Sequence, residues 1–314
     1  MSVVPIRKEF RNLQPGDVIP LFLMYKKASG VSKRTLSDYR KTLDLFFRRF
    51  PDGLDFPRER TQAFLGAYEN PSSFNVYFAY LQNFWNWTAA EGYFRGDRHP
   101  MAGLKKRKPG GRIVQLSEGE VARLLKQPDR KTFAGLRDYA AMLLQIDCAI
   151  RPGEALQLMP EDFDPERGEI SIPASVAKTR VSRTLPVSQP TIEAIARLLA
   201  VQPEEWESAP IFCSQDGGRL NVTSYSRRVK AYGEKAGLNI TAYSLRHAAA
   251  ILMLRKGVNS FVLQNIMGHT SPAMTKHYLA LTTEDTKREH KAAGVILSIV
   301  GAEEPQKSRR VRKL

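Results

Sequence analysis

The chain has 314 residues, 42% of them apolar and 25% charged, which suits two folded domains better than one core or a disordered polymer. No apolar run approaches 20 residues, and the opening MSVVPIRKEFRNLQPGD lacks a long apolar core, so neither a membrane span nor a secretory signal is expected. Two cysteines without paired spacing argue against a disulfide scaffold or a zinc cluster and suit a reducing cytoplasm, while 48 Lys+Arg against 32 Asp+Glu give a net charge of +16 that points to a polyanion, nucleic acid ahead of anionic membrane.

After an extension over residues 1–16, the segment 17–94 reads as a small all-helical bundle. Two weaker helices are expected around Val18–Lys27 and Thr61–Tyr68. In SKRTLSDYRKTLDLFFRRF, Ser32 can cap a helix whose Leu36, Tyr39, Leu43, Phe46, Phe47 and Phe50 recur at helical spacing. Lys33, Arg34 and Arg40 lie off that stripe, as do Lys41, Arg48 and Arg49. SSFNVYFAYLQNFWNWTAAEGY carries a second apolar seam through Phe74, Phe78, Leu81 and Trp85, expected to be core. Residues 95–112, RGDRHPMAGLKKRKPGGR, read as a basic linker. Its Lys105, Lys106, Arg107 and Lys108 are either a solvated tether or a track along a phosphate backbone.

The second domain, 113–301, opens with a capping box, Ser117 and Glu120, ahead of an apolar run. FAGLRDYAAMLLQIDCAI is an apolar, buried helix, and EISIPASVAKTRVSRTLPVS alternates at both ends like a hairpin or small antiparallel sheet. Helices follow over Ile192–Leu199, Ser224–Ala236, Leu245–Arg255, Phe261–Met267, Pro272–Leu279 and Thr283–Val300, then a basic tail over 302–314. The expected fold class is mainly α with a small antiparallel β-sheet, in two domains.

Four polar spots interrupt this apolar scaffold. In AIRPGEALQL, Arg151 ends a buried-looking helix and is either the partner of Glu154 or another acid, or a guanidinium aimed at a phosphate. In AKTRVSRTLPV, Lys178, Arg180 and Arg183 crowd the hairpin tip. In AYSLRHAAAILML, Arg246 and His247 begin an otherwise apolar helix. In IMGHTSPAMTKHYLAL, Gly268 stops a helix, His269 sits in the turn and Tyr278 falls near the end of the next helix.

IRPGE, the hairpin lysine, YSLRH, MGH and a tyrosine nine positions after that histidine resemble, in order and spacing, the tyrosine recombinase (phage integrase) family. The resemblance covers roughly residues 17–300, with 17–94 similar to the family's core-binding domain. It implies site-specific recombination or integration, through a 3′-phosphotyrosyl intermediate and a Holliday junction, without metal, cofactor or ATP. It assigns catalytic roles to Arg151, Lys178, Arg246, His269 and the nucleophile Tyr278, with Glu154 and His247 supporting. Tyr243 stands where the family usually has histidine; a phenol can donate to a phosphate but is no base near neutral pH. Ala149 stands where the family often has glycine. Arginines suit charge on non-bridging oxygens, Lys178 suits the leaving oxygen, and His269 suits placing or deprotonating the phenol.

The same resemblance implies double-stranded recombination sites as partner, with DNA contacts from Lys33, Arg34, Arg40, the four basic linker residues, Arg180 and Arg183. It implies a homotetramer on DNA through exchange of the C-terminal helix, and accessory DNA-bending proteins. A cytoplasmic, prokaryotic, nucleoid-associated setting is expected. Tyr225 and Tyr232 are poorer nucleophiles because both precede Arg246. The competing readings are a DNA-binding protein of the same fold without chemistry, a type IB topoisomerase-like relaxing enzyme, and a metal-dependent nuclease.

Overall fold

The computed structural model describes residues 14–93, 98–108, 114–206, 208–271 and 278. The expected helices over Pro272–Leu279 and Thr283–Val300 and the tail, Tyr278 apart, lie outside the described residues. The chain divides into two compact units, Met1–Arg112 and Ile113–Leu314.

The first unit holds four helices, α1 (Pro15–Ala28), α2 (Lys33–Arg49), α3 (Pro57–Gly66) and α4 (Pro71–Ala90). Ser32 caps α2, its Oγ accepting from the Thr35 amide at 3.2 Å, and satisfies one of the amides a helix start leaves unpaired. The predicted stripe buries Tyr39, Leu43, Phe46 and Phe47 against Phe22, Phe64, Phe84 and Trp85. The rings meet edge to face, Phe22 on Phe84 at 5.3 Å and 89°, Phe46 on Phe64 at 5.3 Å and 75°, the geometry aromatic quadrupoles favour. Lys33, Arg34 and Arg40 are exposed.

The described part of the basic segment is not a plain tether. Arg107 lies 3.9 Å over the Phe74 ring, exchanges backbone bonds of 2.8 and 2.7 Å with the Asn75 amide, and donates Nη1 to the Tyr68 carbonyl at 2.5 Å. An arginine is planar and weakly hydrated, so an aromatic face and spare carbonyls can hold it. Arg107 is thus tied into the bundle and half-buried, whereas Lys105, Lys106 and Lys108 are exposed.

The second unit opens with α5 (Glu118–Leu125), whose capping box forms as expected, and α6 (Phe133–Cys148). The short α7 (Pro152–Ala155) comes next, then strands β1 (Phe163–Asp164), β2 (Glu169–Ile172) and β3 (Arg183–Pro186), and helices α8 (Gln189–Leu199), α9 (Val222–Lys235), α10 (Ala242–Arg255) and α11 (Ser260–Met267). The apolar α6 runs through the middle and packs against α5, α7, α8, α9 and α10. The fold is mainly helical with one three-stranded antiparallel sheet of order β1-β2-β3. Ile170 pairs with Leu185 and Ile172 with Arg183. Because strand side chains alternate, Arg183 and Leu185 share one face. No helix among the described residues is long and apolar enough to cross a membrane.

Candidate active site

The chain reverses sharply after α6. Ala149 takes the left-handed conformation, φ 48°, and Arg151 is extended as the residue before α7, with Pro152 in its first turn. This turn, the start of α10, the start of β3 and the end of α11 bring three arginines together. Arg246, 4% exposed, donates to the Ala149 carbonyl at 2.6 Å and the Met267 carbonyl at 2.8 Å. Arg151, 8% exposed, donates to the Gly268 carbonyl at 3.2 Å. Arg183 donates Nε to the Ile266 carbonyl at 3.2 Å. Three successive carbonyls at the end of α11 thus each hold a different guanidinium. Helix-terminal carbonyls lack intrahelical partners and form the negative end of the dipole, so cations suit them. Gly268 makes the approach possible; its φ is 59°, and a Cβ there would come within 3.0 Å of the Arg183 guanidinium.

Glu154, 2% exposed, is the carboxylate among them. It accepts from Arg151 at 2.9 Å, from Arg183 at 2.6 Å and from the Lys178 backbone amide at 3.2 Å. Burial pushes its pKa up, but Arg183 and Arg151 outweigh burial and hold it below the ordinary value, so it is ionised. Burial and then Arg151 pull Arg246 down to about 9, still above neutral pH. Among the described residues, three guanidiniums against one carboxylate leave two positive charges in a largely buried site. Buried charge without a partner is costly, and an arriving anion would relieve it. The same surplus is what stabilises charge developing on a phosphoryl group.

Tyr278, 4% exposed, packs beside Ala149, Ile251, Leu263 and Met267. Its hydroxyl is 2.6 Å from His247 Nδ1, and its ring stacks on His269, centroids 6.3 Å apart and planes 12° apart. Burial raises the Tyr278 pKa, and Arg246 and Arg151 pull against this without cancelling it; the phenol rests protonated. Burial, then Arg246 and Arg151, bring His269 down to about 4. It is neutral at pH 7, and its Nε2 meets Arg246 Nη2 at 3.1 Å. The nitrogen facing an arginine must accept, which puts the proton on Nδ1.

The structure therefore brings Arg151, Glu154, Arg246, His247, His269 and Tyr278 into one cluster, with Lys178 joined to it through its backbone and its side chain exposed. Tyr243, on the first turn of α10, is 49% exposed. Arg180 is exposed between β2 and β3. Arg183 departs from expectation. It is not at a solvated hairpin tip; its side chain is 11% exposed and paired with Glu154. The signal was present in the period-two run Arg183, Leu185, Val187, which marks a strand face turned inward. His247, expected as a supporting residue, is the histidine whose ring nitrogen meets the Tyr278 hydroxyl. Tyr225 and Tyr232 are tied elsewhere, their hydroxyls donating to Gln145 at 2.7 Å and to the buried Asp138 at 2.8 Å.

A helical fold that gathers buried guanidiniums beside a buried phenol suits an anionic ligand, and comparison with known proteins identifies the family. The model of the phage integrase family matches residues 115–285. Tyrosine recombinase XerA of Pyrococcus horikoshii is 26% identical over 301 residues, covering 94% of this chain and 99% of that protein. Tyrosine recombinase XerD of Neisseria meningitidis serogroup B is 29% identical, covering 79% and 87%. A crystal structure of a lambda integrase tetramer bound to a Holliday junction shares the fold, with a TM-score of 0.68 at 18% identity over 85% of this chain and 78% of that one. The chain belongs to the phage integrase family. It is a site-specific tyrosine recombinase.

Proposed function

We propose that the cluster around Tyr278 cuts and rejoins DNA by phosphoryl transfer. The Tyr278 oxygen attacks the scissile phosphorus, the bond from phosphorus to the 5′ oxygen breaks, and a 3′-phosphotyrosyl bond and a free 5′-hydroxyl result. The reverse step, with the 5′-hydroxyl of a partner duplex, joins strands without ATP, since the ester keeps the bond energy. Two such rounds pass through a Holliday junction. Arg151 and Arg246 bind the non-bridging oxygens, Glu154 and Arg183 hold Arg151 and the hairpin in place, and Lys178 protonates the leaving oxygen. His269 orients Arg246 and stacks on the nucleophile. Tyr243, at the exposed start of α10, donates to the phosphate. Guanidiniums take the place that metal ions hold in other phosphoryl-transfer sites. The surplus of two buried positive charges beside a buried phenol carries this reading.

The test is capture of genomic fragments by the protein in EDTA, followed by sequencing of the DNA that stays covalently attached. Wild type should give one preferred sequence, and Tyr278→Phe should bind the same DNA and give no adduct. The captured fragments also provide the site on which any accessory DNA-bending protein would act.

Strand exchange between two duplexes takes four cuts, so the reading includes a tetramer on DNA. A groove of about 460 Å³ in the second unit is lined by Val121, Ala122, Leu125, Ile146, Leu252 and Met253, with Glu118, Asp147 and Lys256 among its polar residues. It would receive the apolar end of another copy, Val295, Ile296, Leu297, Ile299 and Val300. Truncation before Ala292 should keep single-site binding, weaken cooperative binding to paired sites and abolish recombination. Gel-shift titration on one-site and two-site DNA measures this.

A further inference from the structure

A phenol is a poor nucleophile until it loses its proton, and it leaves well on rejoining only if it regains one. Among the described residues two histidines lie against the phenol, and Tyr243 stands at the start of the same helix as one of them. Tyr243 occupies the position where a histidine is usual, but a phenol is no base near neutral pH. His269 turns Nε2 toward Arg246 at 3.1 Å, and its ring lies nearly parallel to that of Tyr278 with centroids 6.3 Å apart. His247 has Nδ1 2.6 Å from the Tyr278 hydroxyl, within hydrogen-bond reach for direct transfer. It is one residue beyond Arg246 on α10, so one helical turn presents a phosphate clamp and a proton acceptor side by side.

Taking Tyr278 as the nucleophile, as proposed above, we infer that His247 is the general base of cleavage and the general acid of rejoining, standing in for the histidine absent at position 243. As the phenolic oxygen bonds to phosphorus, its proton passes to His247 Nδ1. The electron pair of the breaking P–O bond leaves on the 5′ oxygen, which takes a separate proton from Lys178. On rejoining, the attacking 5′-hydroxyl gives its proton to Lys178 as it bonds to phosphorus, the phosphotyrosyl bond breaks, and the imidazolium returns its proton to the departing tyrosyl oxygen. Nδ1 must be the unprotonated nitrogen at rest, with the ring proton on Nε2. The site also times the transfer. An imidazolium next along α10 from the buried Arg246 is favoured once a phosphodiester brings negative charge, so seating of DNA activates the phenol.

Three measurements test this on a nicked suicide duplex carrying the captured site sequence. His247→Ala and His247→Gln should slow covalent cleavage by about a hundredfold or more, with duplex affinity kept within about twofold. Gln keeps the volume and a hydrogen bond but cannot take the proton. A duplex with sulfur in place of the bridging 5′ oxygen, whose leaving group needs no acid, should restore Lys178→Ala and leave the His247 variants slow. Replacing Tyr278 by the more acidic 3,5-difluorotyrosine should restore the His247→Ala protein by about tenfold or more. Near-wild-type cleavage by His247→Gln, rescue of the His247 variants by sulfur, or no gain from the fluorinated phenol would each overturn the assignment. An adduct retained by Tyr278→Phe would instead overturn the choice of nucleophile on which it rests.

Discussion

The two units handle charge in opposite ways. Among the described residues the first unit buries no charged side chain. Its core is aromatic, Lys33, Arg34 and Arg40 are exposed, and its Asp52–Arg60 ion pair is 37% exposed on both sides. The second unit buries Arg137, Asp138, Arg151, Glu154 and Arg246. Asp138 is matched by Arg137 at 2.8 Å, Arg228 and the Tyr232 hydroxyl, and forms a closed structural network. The cluster at Tyr278 is left with surplus positive charge. Charge in water is weak, screened and adjustable; charge held in a dry site is fixed in advance and strong. On the function proposed above, the exposed cations of the first unit hold a polyanion and the buried ones of the second act on one phosphate of it.

The comparison predicts its largest effect at Arg246. Arg246→Ala should lower the rate of covalent cleavage by about a thousandfold, the upper range for removing one preorganised donor. Duplex affinity, shared over many exposed cations, should change only severalfold. Single-turnover cleavage and gel-shift titration on the same DNA separate the two. A matching loss in both would mean that the buried arginines serve general binding and that the contrast between the units is false.

Next is Glu154. Glu154→Gln leaves Arg151 and Arg183 without a carboxylate, a break that typically costs about 3–5 kcal/mol. The melting temperature of the protein should fall by about 6–20 °C. Sulfate, a substitute for the phosphate, should return part of the loss to the variant and do less for wild type. A variant as stable as wild type would show that the three arginines are not in one another's field.

Features set by local period and punctuation were legible in the sequence. The α2 stripe, the caps Ser32 and Ser117, the α6 span and the turn at Gly268 all appear as the sequence implied. So did the convergence of Arg151, Arg246, His269 and Tyr278, since the order of motifs identified a family. Features set by contacts between distant segments were missed. Arg183 looked like a hairpin-tip cation because β3 is four residues long and the Glu154 that draws it inward lies on another element. Arg107 looked like a tether residue because nothing local announces the Phe74 face and the Asn75 amide. The contact of His247 with the Tyr278 hydroxyl was not legible because the two residues lie 31 positions apart.

The exposed cations of the first unit should give a smaller and different signature. Lys33→Ala, Arg34→Ala and Arg40→Ala should each flatten the slope of log affinity against log salt by about 0.9 where the residue meets a phosphate. Cleavage at saturating DNA should stay within about twofold. Measuring affinity at several salt concentrations checks this, and an unchanged slope in all three would move the DNA-holding face elsewhere on that unit.

The smallest effect is expected at Ala149, where the units differ in backbone as well as in charge. In the first unit every described residue with positive φ is glycine, whereas the second places Ala149 and Arg180 there. Ala149→Gly should relieve about 1–2 kcal/mol of left-handed strain. Against this, glycine adds unfolded-state freedom worth about 0.4–1 kcal/mol, and removing a buried methyl costs about 0.8 kcal/mol. The terms nearly cancel, so the melting temperature should move by no more than about 2 °C. The Ala149 carbonyl, which receives Arg246 at 2.6 Å, should stay in place, because Arg246 is also held by Met267. Cleavage should therefore remain within about twofold of wild type. A loss of tenfold or more at unchanged stability would show that the alanine strain itself aims Arg246, and that the second unit prearranges its backbone for catalysis as it does its charges.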